Sequence, residues 1–233
     1  MPYHALQRLT GIDFKADKCR NKVMKNHQSK QPSIAQIKKQ LLSTLDKRAL
    51  VLVGLMGAGK SVIGHRIATM LHLPFYDSDQ EIEKAAQMTI TELFKIYGEA
   101  EFRALEQRVI LNIMKKSPLV LATGGGAYMN ENIRRAIHQN GVSIWLKVDL
   151  DILMKRVLRR PTRPLLQTAN PKETMQKLME QRNPIYAKAN LTINSHKESR
   201  HTVAQNVIRS VQHYLYTELN DRNNKNASQD RHH

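Results

Sequence analysis

Apolar residues recur along this chain in two alternating rhythms. Residues 49–53 read ALVLV, an unbroken apolar run too short for a helix, which predicts a strand buried on both faces. Just beyond it Ile63, Ile67, Met70 and Leu71 fall on one side of a helix that begins near Ser61. The alternation then repeats, with short apolar stretches at 74–76, 118–122, 142–146 and 191–193 predicting four further strands. Thr89 followed by Glu92 is a capping box opening a helix that Gly98 closes, and Leu105, Val109 and Ile113 mark the next one. Asp149 can cap a helix through Arg159, where Pro161 and Pro164 forbid its continuation; residues 174–181 read as helical again. Val203, Val207, Val211 and Leu215 form a final amphipathic helix, and Ile34, Ile37, Leu41 and Leu45 a short one ahead of the first strand. Strands alternating with helices predict a three-layer α/β/α fold around a central five-stranded parallel sheet. Ligands of such sheets bind beyond the carboxyl ends of the strands, so the loops after the strands are where chemistry is expected.

Charge changes the picture at the two ends. The chain carries 37 Lys and Arg against 20 Asp and Glu, a net charge of +17, and residues 1–48 alone hold 11 basic and 3 acidic side chains. This divides it into a basic extension (1–45, partly helical or disordered), a globular domain (46–219) and a disordered polar tail (220–233). A basic arm suits phosphate backbones. Its aromatics, Tyr3 and Phe14, are however not interleaved with its basic cluster, and no nucleic-acid motif follows. The arm therefore reads as a solvated extension, with no nucleic-acid partner expected. The rest of the excess lies in the globular part, where an anionic small substrate accounts for it.

The single cysteine, Cys19, excludes an intrachain disulfide and a CxxC zinc site. No apolar run approaches the ~18 residues of a membrane span. Residues 1–30 lack the apolar core of a secretory leader, so a cytoplasmic monomer is expected. None of the ten histidines sits at metal-binding spacing, and Trp145 reads as core.

Three loops at strand ends stand out. GLMGAGKS at 54–61 fits GxxxxGK[ST] between a buried strand and a helix start, which identifies a P-loop. Its glycines let backbone N–H groups turn toward a phosphate, and the helix N-terminus adds its dipole. In such a loop Lys60 bridges the β- and γ-phosphates and the Ser61 hydroxyl ligates Mg2+, so ATP and Mg2+ are the expected cofactors. Asp77 and Asp79 follow the second strand. At i and i+2 on extended chain they point the same way, one serving Mg2+ through water and the other a substrate hydroxyl; a plain helix cap is the alternative.

TGGGA at 123–127 directly follows the third strand, where common ATPases carry an acid. Three glycines there point to close approach of a ligand to bare backbone and leave metal support to Asp77. Arg103 and Glu106 share a helix face, the spacing of an ordinary ion pair. RRPTRPLL at 159–166 is rigid and basic, and reads as part of a mobile lid (159–173) that brings an arginine to the transferring phosphoryl group.

In this order and spacing GLMGAGKS, DSD, EFRALE, TGGGA and RPTRPLL resemble the shikimate kinases, small P-loop enzymes related to the nucleoside monophosphate kinases. The likeness covers about residues 48–215. It implies a P-loop NTPase-type fold with a mobile lid, and transfer of the γ-phosphate of ATP to the 3-hydroxyl of shikimate in aromatic amino-acid biosynthesis. Carried over, it puts ATP on Gly57, Ala58, Gly59, Lys60, Ser61, Val62, Arg156 and Arg163, with Asp77 reaching Mg2+ through water. Asp79 would bind the ring hydroxyls and position or deprotonate the 3-hydroxyl. Arg103 and Arg182 would grip the substrate carboxylate, Glu106 would orient the arginine, and Gly124, Gly125 and Gly126 would give backbone contacts. Phe94 and Phe102 would form the apolar wall, and Lys60, Asp79 and Arg163 the catalytic set.

The chain departs from the family at Ile193, Asn194 and Ser195, where the strand before the adenine loop often ends in Asp. Two other readings compete: a gluconate-type P-loop kinase, and a basic nucleic-acid-associated P-loop protein supported by the arm alone. Two arginines with the triple glycine favour shikimate, since the guanidinium fork grips carboxylates bidentately.

Overall fold

The computed structural model describes residues 34–158, 170–196 and 198–229. Five strands, β1 (Ala49–Val53), β2 (Phe75–Asp77), β3 (Val120–Ala122), β4 (Gly141–Lys147) and β5 (Leu191–Asn194), form one sheet in the order β2-β3-β1-β4-β5. Every pairing is parallel, with Leu52 of β1 in register with Ala122 on one side and Ile144 on the other. All five residues of β1 are fully buried, as a central strand covered on both faces requires. Around the sheet run α1 (Ile34–Leu45), α2 (Lys60–Leu71), α3 (Ser78–Ala86), α4 (Ile90–Met114), α5 (Glu131–Asn140), α6 (Leu150–Val157), α7 (Pro171–Tyr186) and α8 (Arg200–Gln229). From β1 the chain goes first to one edge of the sheet and later to the other. The crevice this opens at the carboxyl ends of β1 and β3 receives the P-loop and the triple-glycine loop.

Two boundaries differ from the sequence reading. Helix α1, counted there with the basic extension, buries Ile37, Leu41 and Leu45 in the same core as Val203, Val207, Val211 and Leu215 of α8. Arg48 Nη1 to Glu218 Oε2 at 2.6 Å and Gln212 Nε2 to Gln40 Oε1 at 2.7 Å tie the two ends further. The apolar 37/41/45 spacing, one helical face, outweighs the basic composition around it. Leu41→Ala is therefore expected to lower unfolding stability by about 2–5 kcal/mol, read by urea denaturation, with ATP affinity unchanged.

At the other end α8 runs to Gln229, through residues assigned from sequence to a disordered tail. Leu215 is the last buried apolar side chain among those described; beyond it each added turn only extends a helix already nucleated, a far smaller cost than starting one. The basic arm before Ile34 and the lid segment 159–169 with Arg163 lie outside the described residues.

Smaller differences have local causes. Thr89 and Glu92 form the capping box and Gly98 (φ 79°, ψ 176°) closes that first helix as expected; the next helix follows at once, so α4 is two helices meeting at a kink. Helix α7 begins at Pro171 behind an Asn170 cap, earlier than residue 174, and continues through Pro184. Among the described residues no helix is long and apolar enough to cross a membrane.

Candidate active site

A cavity of about 950 Å3 opens at the carboxyl ends of the central strands, lined by the P-loop, Asp77, Asp79, the triple-glycine loop and four arginines, 103, 156, 182 and 200. In the P-loop Gly57 (φ 82°) and Gly59 (φ 97°) adopt left-handed backbone, which side chains rarely tolerate. Gly59 leads into α2, whose first residue is Lys60. Lys60 is 8% exposed, and its ammonium donates to Gly54 O at 2.7 Å and Leu55 O at 2.9 Å. A buried cation needs such acceptors, and these hold it at the mouth of the loop. Arg156 on α6 reaches Gly57 O and Ala58 O, both at 3.4 Å; burial and the neighbouring Arg200 lower its pKa. Gly57, Ala58, Gly59, Lys60, Ser61, Val62 and Arg156 thus share one wall.

The acidic pair is built differently from the sequence picture. Helix α3 starts at Ser78, so only Asp77 is extended (φ −111°, ψ 120°) while Asp79 lies in a first helical turn. Asp77 is the N-cap, its Oδ1 accepting from Asp79 N at 3.0 Å. Both carboxylates still line the cavity. Between them Ser78 is fully buried and accepts from Gly124 N at 2.8 Å, fastening the triple-glycine loop to the start of α3.

The glycines of that loop admit the protein's own side chains. A Cβ on Gly124 would lie 2.6 Å from Asp79 Oδ1 and 2.9 Å from Glu106 Oε1. On Gly126 it would lie 2.6 Å from both terminal nitrogens of Arg103. The sequence reading expected a ligand against bare backbone here; the groups that the structure sets against Gly124 and Gly126 are Asp79, Glu106 and Arg103.

Arg103 Nη1 donates to Glu106 Oε2 at 2.7 Å, while Nε and Nη2 donate to Glu99 Oε1 at 3.2 and 3.1 Å. The Glu106 side chain is 1% exposed. Burial raises its pKa, and the opposing pull of Arg103 does not cancel this. For Arg103 itself burial works against the charge, but Glu106 and Glu99 outweigh it and hold the pKa up. Arg182 on α7 donates to Gly125 O at 3.1 Å. Phe94 and Phe102 pack at a tilt of 36° with centroids 4.5 Å apart, and both line the cavity.

Tyr186 is a fully buried residue that the sequence reading passed over. Its hydroxyl donates to Gly125 O, and its ring packs between Tyr128 and Trp145 with centroids 6.3 and 5.9 Å away. Burial pushes its pKa up to about 12. An acid whose folded pKa is raised binds more protons folded than unfolded, so its contribution to stability falls as pH rises from 10 toward 12. The 295 nm difference between the parent and Tyr186→Phe is accordingly expected to be absent at pH 10.5 and to emerge only toward 12. Ionisation near 10 would contradict it.

The P-loop and Arg156 line one part of the cavity, and Arg103, Arg182 and the triple-glycine loop another. For a metal the cavity offers the Ser61 hydroxyl and Asp77, both hard oxygen donors. No group of three or more His, Cys, Asp or Glu that could hold a metal ion occurs among the described residues. That donor set fits Mg2+, which retains several waters and takes the rest of its shell from phosphates. Arg163 falls outside the described residues. Ser195, Glu198 and Arg200 line the same cavity.

Comparison with known proteins bears directly on this arrangement. The family model of shikimate kinase matches residues 56–212. A shikimate kinase of Bartonella quintana (strain Toulouse) is 82% identical over 209 residues, 90% of this chain and all of that protein. That of Bartonella henselae is 79% identical over the same span. Among solved structures, shikimate kinase from Acinetobacter baumannii in complex with shikimate is similar, with TM-score 0.70 and 34% identity over 73% of this chain and 96% of that one. Shikimate kinase from Bacteroides thetaiotaomicron has TM-score 0.66 and 30% identity over 73% and 99%. By its fold, its site and these relatives, the chain belongs to the shikimate kinase family and with it to the ATP-dependent phosphotransferases.

Proposed function

We propose that this site transfers the γ-phosphoryl group of ATP to the 3-hydroxyl of shikimate. The observation that carries the reading is one cavity in which the P-loop faces Arg103, Arg182 and the triple-glycine loop, with Asp79 among them. Gly57, Ala58, Gly59, Ser61 and Val62 bind the phosphates through backbone N–H groups at the start of α2. Lys60 exchanges its loop carbonyls for phosphate oxygens. Ser61 and, through water, Asp77 hold Mg2+, which when bound neutralises charge on the β- and γ-oxygens. Arg156 flanks the nucleotide, and Arg163 in the lid is assigned to the transferring group.

Arg103, oriented by Glu106, and Arg182 grip the substrate carboxylate, and Gly124, Gly125 and Gly126 give backbone contacts. Phe94 and Phe102 take the apolar face of the ring. Asp79 accepts a hydrogen bond from the 3-hydroxyl, aims it in line with the γ-phosphorus, and receives the proton as the oxygen–phosphorus bond completes. Phosphoryl transfer asks for little more than this alignment and the surrounding positive charge. Every residue named comes from one chain, so a monomer suffices, and a cytoplasmic location is assigned with it.

ADP release from Mg-ATP, followed by a coupled assay with shikimate, with gluconate and with no acceptor, tests the reading. Release that depends on shikimate is expected. Release with gluconate alone would keep the P-loop and overturn the acceptor pocket.

A further inference from the structure

Arg103 meets two carboxylates, and the substrate grip described above uses only Glu106. A guanidinium has five N–H hydrogens, one on Nε and two on each terminal nitrogen. Glu99 Oε1 takes the hydrogen on Nε and one on Nη2; Glu106 Oε2 takes one on Nη1. One hydrogen is left on each terminal nitrogen, and a carboxylate can accept from both.

The two carboxylates act from different settings. Glu106 is buried, while the Glu99 side chain is 68% exposed and is not part of the cavity lining. Glu99 therefore holds the outer edge of the guanidinium without standing where the substrate would bind. Gly126 lies against the same guanidinium, since a Cβ there would come within 2.8 Å of its central carbon. The helix break at Gly98 starts a fresh turn at Glu99 and puts residues 99, 103 and 106 on one face, at i, i+4 and i+7. Nothing lies within 4 Å of a Cβ built on Gly98, so glycine there serves the left-handed backbone and not a tight contact. An ordinary surface pair in the same protein, Arg135–Glu131, has a single nitrogen–oxygen contact. The Glu99 contact has two, on the edge that fixes rotation of the plane.

We infer that Glu99 is a positioning residue for substrate recognition: with Glu106 it sets the plane of Arg103 and directs its terminal N–H pair at the carboxylate of the acceptor. This rests on the assignment of Arg103 to that carboxylate, and deepens it. The contact is exposed, so its effect is modest.

The test is steady-state kinetics on Glu99→Ala and Glu99→Gln, with shikimate and with shikimate methyl ester, whose ester lacks the anionic pair of oxygens. Glu99→Ala is expected to raise KM for shikimate roughly 3- to 10-fold, leaving kcat and KM for ATP unchanged. Glu99→Gln keeps an acceptor oxygen at the same reach and is expected to restore most of the loss. The affinity for the ester is expected to be the same in parent and Glu99→Ala. An unchanged or lower KM for shikimate in Glu99→Ala would overturn the inference, as would an equal loss for acid and ester or a rise in KM for ATP. Arg103→Ala separates the levels. If it leaves KM for shikimate unchanged, the underlying assignment fails; if it raises KM and Glu99→Ala does not, only the role of Glu99 falls.

Discussion

Asp79→Asn is expected to lower kcat with shikimate by roughly 10²- to 10⁴-fold and to leave ATP affinity unchanged. The substitution keeps size and shape, so the amide fits the space beside Gly124 that Asp79 Oδ1 occupies at 2.6 Å from a built Cβ. What it removes is a charged acceptor for the attacking hydroxyl and a place for its proton. The nucleotide contacts proposed above are on the P-loop wall and do not include this carboxylate. The backbone N–H of residue 79 remains to be capped by Asp77, so α3 keeps its start. Isothermal titration with an ATP analogue and single-turnover phosphate transfer read the two halves separately. Turnover like the parent's would remove Asp79 from the mechanism and leave the fold untouched.

Arg103→Ala has two separable consequences. It takes away one of two guanidinium groups assigned to the substrate carboxylate, and it strands Glu106, 1% exposed, without its partner at 2.7 Å. Leaving a buried charge unpaired costs about 3–5 kcal/mol, and here the lower figure is expected because Glu106 can take up a proton. Burial already raises its pKa, so it takes up a proton more readily than an exposed carboxylate. Adding Glu106→Gln to Arg103→Ala removes the stranded charge. The double variant is expected to regain stability in urea denaturation while shikimate-dependent turnover stays lost. Recovery of both would make Arg103 a scaffold residue only; recovery of neither would mean that the pair holds α4 against the triple-glycine loop by shape.

Local features of the fold could be read from the sequence where one stretch of chain settles its own structure. ALVLV has no polar position and could only be an inner strand; Thr89 and Glu92 satisfy each other within one turn. The P-loop belongs with them, since its glycines, strand and helix are contiguous. Features that depend on distant partners were not legible. Ser78 meets Gly124 across 46 residues and Tyr186 meets Gly125 across 61, and nothing near Ser78 or Tyr186 announces either bond. Asp77 and Asp79 were expected to point together on extended chain, but a helix beginning at Ser78 divides their surroundings. Charge counting misled at the N-terminal side, where α1 has basic neighbours but its Ile37, Leu41 and Leu45 belong to the core. Arg103 and Arg182 were drawn together by family resemblance, and the structure has both at the triple-glycine loop through separate contacts, one against Gly126 and one to Gly125 O.

Phosphorus NMR of the reaction with Mg-ATP and equimolar shikimate tests the central claim most directly. The account predicts loss of the γ-phosphate signal and growth of one phosphomonoester whose proton coupling lies at C3 of the ring. A phosphomonoester at another hydroxyl, or inorganic phosphate in its place, would contradict the alignment assigned to Asp79 and the two arginines.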